Sequence, residues 1–306
     1  MKKILILAGG YSKEREISLD TARSVYSELL KDNKYIIKIQ EPNGKFVKNL
    51  KIFKPDVVLN LLHGRYGEDG YVQAILESEK IKYTHSGVLS SALAIDKEIS
   101  KKIYIKNKIR TPKYLIYSLN LSLNKNLFIK KLDQRFGFPL VIKPLNEGSS
   151  VNVYICSKKN LFRNLSKLKE YGKILIEKYI PGREIQVAIL REKILGAIEL
   201  KPKRKFYDYQ AKYNPEAKTE HIIPVKITNS QYKRVTKIAL RSHKLLKCRG
   251  VSRSDFRFYK NKFYLLETNT QPGMTSLSLV PEIAKFYNIS FKNLILEIMR
   301  DASINK

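Results

Sequence analysis

The first third of the chain alternates short apolar runs with segments whose apolar residues recur at helical spacing. Residues 3–8 are a run of Ile and Leu closed by Gly9-Gly10, which predicts a buried strand. Ala22, Val25, Tyr26 and Leu29 then fall on one face of a helix. Residues 36–39 predict a second strand, ended by Pro42-Asn43-Gly44, and residues 57–62 a third, introduced by Pro55-Asp56. Val72, Ile75 and Leu76 mark another short helix. This alternation predicts a parallel sheet with helices packed on it, and such sheets bind ligands beyond the carboxyl ends of their strands. Gly9-Gly10 and His63-Gly64 both stand at those ends.

The pattern changes near residue 95. A long helix is expected over 93–107, followed by shorter strands rich in β-branched and aromatic residues at 113–117, 140–143, 151–155 and 174–177. After Pro181-Gly182, residues 184–190 and 193–200 predict a hairpin across Arg191-Glu192. The lysine- and tyrosine-rich segment 201–220 lacks periodicity and is expected to be a mobile loop. Val235, Ile238, Ala239, Ser242, Leu245 and Leu246 line one face of a later helix, and a second hairpin runs from 252 to 269. The expected division is an N-terminal α/β domain over 1–94 and two further lobes over 95–180 and 181–306.

The second hairpin carries the first candidate chemistry. Residues 253–259 alternate polar and aromatic side chains, as a half-buried strand does. A three-residue turn at Lys260-Asn261-Lys262 would place Asp255 opposite Glu267 and Arg253 opposite Asn269, all on one face. Carboxylates directly across a sheet repel each other unless something positive sits between them. Hard oxygen ligands of this kind suit Mg²⁺; the alternative is that each acid pairs with one of the abundant lysines. A second candidate is the strand 140–143 ending in Lys143-Pro144, followed by Asn146-Glu147-Gly148-Ser149-Ser150. Such a loop offers backbone N–H groups and hydroxyls to phosphate beside a lysine, although an ordinary turn reads the same way. It follows neither the Walker nor the Rossmann glycine pattern.

Composition narrows the class. The 306 residues are 43% hydrophobic and 28% charged, ordinary for a soluble globular protein of two or three domains. No apolar run approaches the roughly 18 residues of a membrane span. Met1-Lys2-Lys3 and the apolar run after it imitate a signal peptide, but the run is short and no small-residue cleavage site follows, so a cytoplasmic protein is expected. Cys156 and Cys248 form neither a disulfide framework nor a metal pair. The net charge of +31 is spread along the whole chain and reads as a solvated basic surface, not a nucleic-acid site.

Several segments taken in order resemble one family. They are Ser12-Lys13-Glu14-Arg15-Glu16-Ile17-Ser18, the stretch from Leu62-His63-Gly64 to Asp69-Gly70, Ser86-Gly87-Val88, Asp96-Lys97, and the loop from Lys143 to Ser150. Leu175-Ile176-Glu177-Lys178, the stretch from Tyr207 to Tyr213, and Glu267-Thr268-Asn269-Thr270-Gln271-Pro272-Gly273-Met274-Thr275 complete the set. Together they resemble the D-alanine–D-alanine ligases, a branch of the ATP-grasp superfamily, along essentially the whole chain. The resemblance implies a two-lobed ATP-grasp fold behind the N-terminal domain. It also implies ATP-dependent joining of two D-alanines through an acyl phosphate, for peptidoglycan synthesis.

The resemblance also implies roles. Asp255, Glu267 and Asn269 would hold two Mg²⁺ (or Mn²⁺) ions. Lys97, Lys143 and Ser149 would meet ATP phosphates, and Glu177, Lys178, Ile180 and Glu184 the adenine and ribose, with Phe206 and Tyr207 closing over them. Glu14 would bind the ammonium of the first alanine and be tied to Ser150 and Tyr213. Arg253 and the backbone of Gly273 would hold the oxyanion. His63, Lys212, Ser278 and Leu279 would complete the substrate site. The other histidines, His85, His221 and His243, are expected to be structural or exposed. A homodimer is expected, with D-alanine as the small-molecule partner and neither nucleic acid nor membrane. The nearest rival readings are ligation of D-alanine to D-lactate or D-serine, and another ATP-grasp carboxylate–amine ligase. The chain departs from the commoner family motif at Thr268 and Gln271.

Overall fold

The computed structural model describes residues 1–120, 124–202, 219–275 and 278–304. Strand β1 (Lys2–Leu7) lies between β2 (Tyr35–Gln40) and β3 (Val57–Asn60), parallel to both. Because strand side chains alternate, its two faces fill two different cores. Ile4 and Ile6 pack with Ala22, Val25 and Leu29 of α1 (Arg15–Leu29). Leu5 and Leu7 pack with Phe46 and Leu50 of α2 (Phe46–Phe53) and Val72 and Leu76 of α3 (Tyr71–Ser78). The outer strand β2 leaves Ile36 and Ile39 exposed at 43% and 39%.

Two antiparallel sheets follow. One has the order β4-β7-β5-β6, from β4 (Tyr114–Ser118), β5 (Leu140–Pro144), β6 (Tyr154–Cys156) and β7 (Lys173–Lys178). Helices α6 (Lys125–Phe136) and α7 (Leu161–Ser166) cover it. The other has the order β10-β9-β8-β11-β12, from β8 (Arg183–Leu190), β9 (Lys193–Lys201), β10 (Glu220–Ile222), β11 (Val251–Tyr259) and β12 (Lys262–Asn269). Helix α8 (Asn229–Leu245) packs on it, and a Thr228–Gln231 capping box closes the N-terminus of that helix. Two helices that periodicity did not single out, α9 (Leu279–Phe286) and α10 (Phe291–Arg300), join the first sheet to the last in one core. The chain end then returns to the first sheet, where Tyr83 and Ser303 exchange backbone hydrogen bonds of 3.3 Å.

Three local expectations are corrected. The helix expected over 93–107 is two helices, α4 (Val88–Ile95) and α5 (Lys97–Lys106). Asp96 between them is extended at ψ 105°, and its carboxylate accepts from the N–H groups of Glu98 and Ile99, so it starts a new helix instead of continuing the old one. The strand expected from 151 begins only at Tyr154. Ser149, Ser150 and Asn152 have φ values of 47°, 60° and 56°, which no ladder accommodates.

The acidic hairpin turns on two residues, not three. Lys260 and Asn261 both take left-handed φ, 45° and 57°, as a tight turn matched to strand twist requires. The resulting one-residue offset is absorbed by a bulge: Phe256 faces Leu265, Asp255 faces Glu267, and Leu266 is left over. The expected pairing of Asp255 with Glu267 and Arg253 with Asn269 is therefore found, but the bulge produces it. The expected loop at 201–220 lies outside the described residues except at its ends, where β10 adds a strand against β9.

Candidate active site

Two adjoining chambers open where the three sheets converge, and Lys97, Glu147 and Glu267 line both. The first is built from strand ends. Glu14 precedes α1 at the carboxyl end of β1 and is 4% exposed. Its backbone N–H donates to Ser12 Oγ at 3.1 Å, and that hydroxyl in turn donates to the His63 carbonyl at 2.6 Å. The carboxylate lies against two glycines. A Cβ at Gly64 would fall 2.6 Å from Glu14 Oε2, and one at Gly148 would fall 3.0 Å from it. Only hydrogen at both positions lets the acid reach the chamber from between two backbones.

Ser149 donates to Glu14 Oε1. Ser149 lines the first chamber and Ser150 the second. Left-handed φ at both residues means that the simple alternation of a strand does not apply to this loop.

His63 is buried between Glu68 Oε1, 3.1 Å from its Nδ1, and Thr21 Oγ1, 3.4 Å from its Nε2. Burial works against a charged ring. The hydrogen bond and charge of Glu68, with the charge of Glu14, outweigh it and hold the imidazole above its ordinary pKa. Arg253, Asn269, Gly273, Ser278 and Leu279 close the other side. Arg253 grips Asp255 with two nitrogens, at 2.8 and 3.0 Å. The Ser278 hydroxyl accepts from the Thr275 backbone N–H at 2.9 Å, and a Cβ at Gly273 would meet that hydroxyl at 2.9 Å.

Lys143, Ser150, Glu177, Lys178, Ile180, Glu184, Asp255, Leu266 and Glu267 line the second chamber. The bulge in β12 thus turns an apolar side chain into this wall beside an acidic one. Lys143 Nζ stands 2.7 Å from Glu177 Oε1. Burial raises the Glu177 pKa, but Lys101 and Lys143 pull it below the ordinary carboxylate value, so the acid is ionised. Arg257 bonds Glu184 at 3.2 Å and the Ile180 carbonyl at 3.0 Å, which fixes the chamber's outer edge.

Asp255, Glu267 and Asn269 supply two carboxylates and a carboxamide on one face of the β11–β12 pair. Among the described residues no three His, Cys, Asp or Glu side chains gather around one point. A hard-oxygen set this sparse fits a divalent cation that also takes phosphate oxygens, not a closed all-protein cage. Each carboxylate faces a cation, Arg253 for Asp255 and Lys97 for Glu267 at 3.4 Å. Asn269 Oδ1 accepts from the Gln271 N–H at 2.7 Å.

Phe206, Tyr207, Lys212 and Tyr213 lie outside the described residues. Sequence reasoning missed Glu68, Glu147 and Gln186 as lining residues, and Lys101 behind the wall. Glu68 and Glu147 lay inside quoted motifs, and Lys101 stands one helical turn after Lys97, a spacing that shares a helix face. The three remaining histidines have structural partners or burial. His243 bonds Ser252 at 2.7 Å, His221 bonds Glu282 at 2.6 Å, and His85 is 1% exposed.

Comparison with known proteins gives the same architecture a lineage. Residues 106–300 match the family described as "D-ala D-ala ligase C-terminus". A D-alanine–D-alanine ligase of Pelagibacter ubique (strain HTCC1062) is 61% identical over 305 residues, covering 100% of this chain and 99% of its own. The crystal structure of a D-alanine–D-alanine ligase from Bacillus anthracis superposes with a TM-score of 0.86 at 37% identity, covering 98% of this chain and 97% of that one. The Bacillus anthracis ligase complexed with ATP gives 0.84 at 34% identity, with the same coverage of both chains. With a family match over residues 106–300, full-length identity to one such ligase and a backbone that superposes on another, the chain belongs to the D-alanine–D-alanine ligases and folds as an ATP-grasp enzyme.

Proposed function

We propose that the first chamber binds two D-alanines and the second binds ATP, and that the chain joins the alanines into D-alanyl-D-alanine through an acyl phosphate. The observation that carries this reading is the placement of Glu14 and Arg253 in one chamber whose shared wall, Lys97 and Glu267, faces the lysine-lined other. The carboxyl group of Glu14 suits the ammonium of an amino acid. Arg253 and the Gly273 backbone suit the negative charge that develops on the attacked carboxyl carbon's oxygen. Lys97 and Lys143 suit transferring phosphate oxygens, and His63, bonded to Glu68, sits where a carboxylate or phosphate would approach. Ser278 and Leu279, at the start of α9, offer a hydroxyl and a backbone N–H to a second carboxylate. Ser149, beside Glu14, holds that acid in place.

Asp255, Glu267 and Asn269 would hold Mg²⁺, which when bound neutralises the phosphate charge and polarises the transferring group. Glu177, Lys178, Ile180 and Glu184 would line the nucleoside end. The proposed division at 1–94, 95–180 and 181–306 draws support from the three separate sheets, and α9 and α10 pack between the first of them and the last. The reading includes a homodimer in the cytoplasm, supplying precursor for cell-wall peptidoglycan. Among the described residues no helix is long and apolar enough to cross a membrane.

Phosphate release from ATP·Mg²⁺ by the purified chain tests the activity. Release with D-alanine, with the dipeptide as product, is expected. Release with D-lactate or D-serine as second substrate at equal efficiency would shift the reading to a depsipeptide or mixed ligase. None with any of them, from folded protein, would overturn it. Light scattering tests the dimer, and a monomer mass would remove that part.

A further inference from the structure

One turn beyond Lys97, helix α5 buries a second lysine that touches neither chamber. Lys101 is 0% exposed, and its ammonium stands 2.8 Å from Glu177 Oε2 and 2.6 Å from Thr111 Oγ1. The other Glu177 oxygen meets Lys143, which does line the second chamber, at 2.7 Å. One carboxylate from β7 therefore bridges two ammonium groups, one from α5 behind the wall and one from β5 in it. Burying an ion is costly unless it is paired, and Glu177 needs only one cation for neutrality. The cluster carries a second, so it holds one positive charge in surplus at the chamber wall.

We propose that Lys101 is a positioning residue for phosphate binding: by sharing Glu177 with Lys143 it keeps the Lys143 ammonium from being fully neutralised and leaves the second chamber charged for a polyphosphate. This rests on the reading that the second chamber takes ATP. The surplus charge serves an anion and does nothing for an uncharged nucleoside, which separates a phosphate role from a purely structural one. The groups facing Lys101 are Glu177 on β7, Lys143 on β5, Glu267 on β12, the Tyr114 ring on β4 at 5.6 Å, and Thr111. Burial first, and Lys143 next among the lowering influences, push its pKa down to about 8, against the pull of Glu177 and Glu267. The surplus charge should accordingly fade as pH rises through that value.

The test is calorimetric titration of ATP·Mg²⁺ and of adenosine into the full chain at pH 7 and pH 9.5, for wild type, Lys101→Met and Thr111→Val. Lys101→Met should weaken ATP on the order of tenfold, the effect of about one charge at intermediate dielectric, and change adenosine less than about twofold. Thr111→Val keeps the charge and should stay within about threefold of wild type for both. The wild-type ratio of ATP to adenosine affinity should fall between the two pH values, and Lys101→Met should flatten that fall. A folded Lys101→Met protein with the wild-type ratio at both pH values would overturn the proposal. If that variant does not fold, an unchanged wild-type ratio between pH 7 and 9.5 overturns it instead. A wild-type chain that binds adenosine and ATP equally also overturns it, while one that binds neither overturns the nucleotide reading beneath it.

Discussion

Lys97 Nζ stands 3.4 Å from Glu267 Oε2 and 2.7 Å from the Glu147 carbonyl oxygen, so one ammonium group closes the wall between the two chambers. Its aim depends on the break at Asp96. Capping by Asp96 makes Lys97 the first residue of α5, with its side chain free to turn toward the sheets. Glu267 reaches the same point from the other side, because the β12 bulge places it opposite Asp255.

Lys97→Met is therefore expected to damage phosphate chemistry more than alanine binding. Removing a positioned cation from a partly enclosed site costs on the order of 100-fold in rate. Steady-state phosphate release should show kcat reduced on that scale with the KM for D-alanine within about threefold. A kcat within twofold of wild type would mean that the wall charge plays no part in transfer.

Gly64→Ala places a methyl 2.6 Å from Glu14 Oε2 at a φ of +68°, so both the backbone and the acid must shift. Strain of this kind costs about 1–3 kcal/mol, lowering Tm by several degrees in a chain of this size. Because the displaced group is Glu14, kcat/KM for D-alanine should also fall at least tenfold. Gly44→Ala is the control, since a Cβ there meets nothing within 4 Å. Equal behaviour of the two variants in thermal melts and kinetics would refute the glycine cradle.

Gln271 ties the last strand to the first sheet. Its amide donates to the Leu62 carbonyl, and its oxygen accepts from Asn60 Nδ2 at 3.0 Å, with both side chains buried. Gln271→Ala removes both bonds in a site closed to solvent and should cost about 1–3 kcal/mol. Gln271→Glu keeps the acceptor but loses the donor, so it should also destabilise the fold. Urea unfolding measures both, and a midpoint unchanged in either variant would count against the tie.

His243 gives the fold an acid-sensitive component. Burial is the main cause that depresses its pKa to about 4, with the ring 2.7 Å from Ser252 Oγ. Below the ordinary histidine pKa the unfolded chain takes up a proton that the folded ring refuses. The sign is therefore a loss of stability as pH falls from about 6.5 toward 4, on the order of 2–3 kcal/mol in all. Urea midpoints across this range should drop for wild type, and the slope should be shallower for His243→Gln. Parallel slopes would remove His243 from the account.

The βαβ rhythm of the first third and both hairpins were legible because each is written in local periodicity and turn chemistry. The motif residues were legible too. Glu14, His63, Arg253, Gly273 and Ser278 meet in one chamber, and Lys143, Glu177, Lys178, Ile180 and Glu184 in the other. Local order along the chain decided which residue types would be available at each strand end, since backbone hydrogen bonding and side-chain alternation are properties of neighbours. It could not determine which side of the 146–150 loop each serine faces, because left-handed Ser149 and Ser150 break the alternation of a strand. Nor could it show that Leu266 would be the bulged residue, or that Lys101 would share Glu177 with Lys143. Those outcomes depend on contacts between residues tens to hundreds of positions apart, such as Gln271 with Leu62 and Tyr83 with Ser303. Only packing the three sheets together brings such groups within bonding distance, and burial there makes each charge depend on its partners.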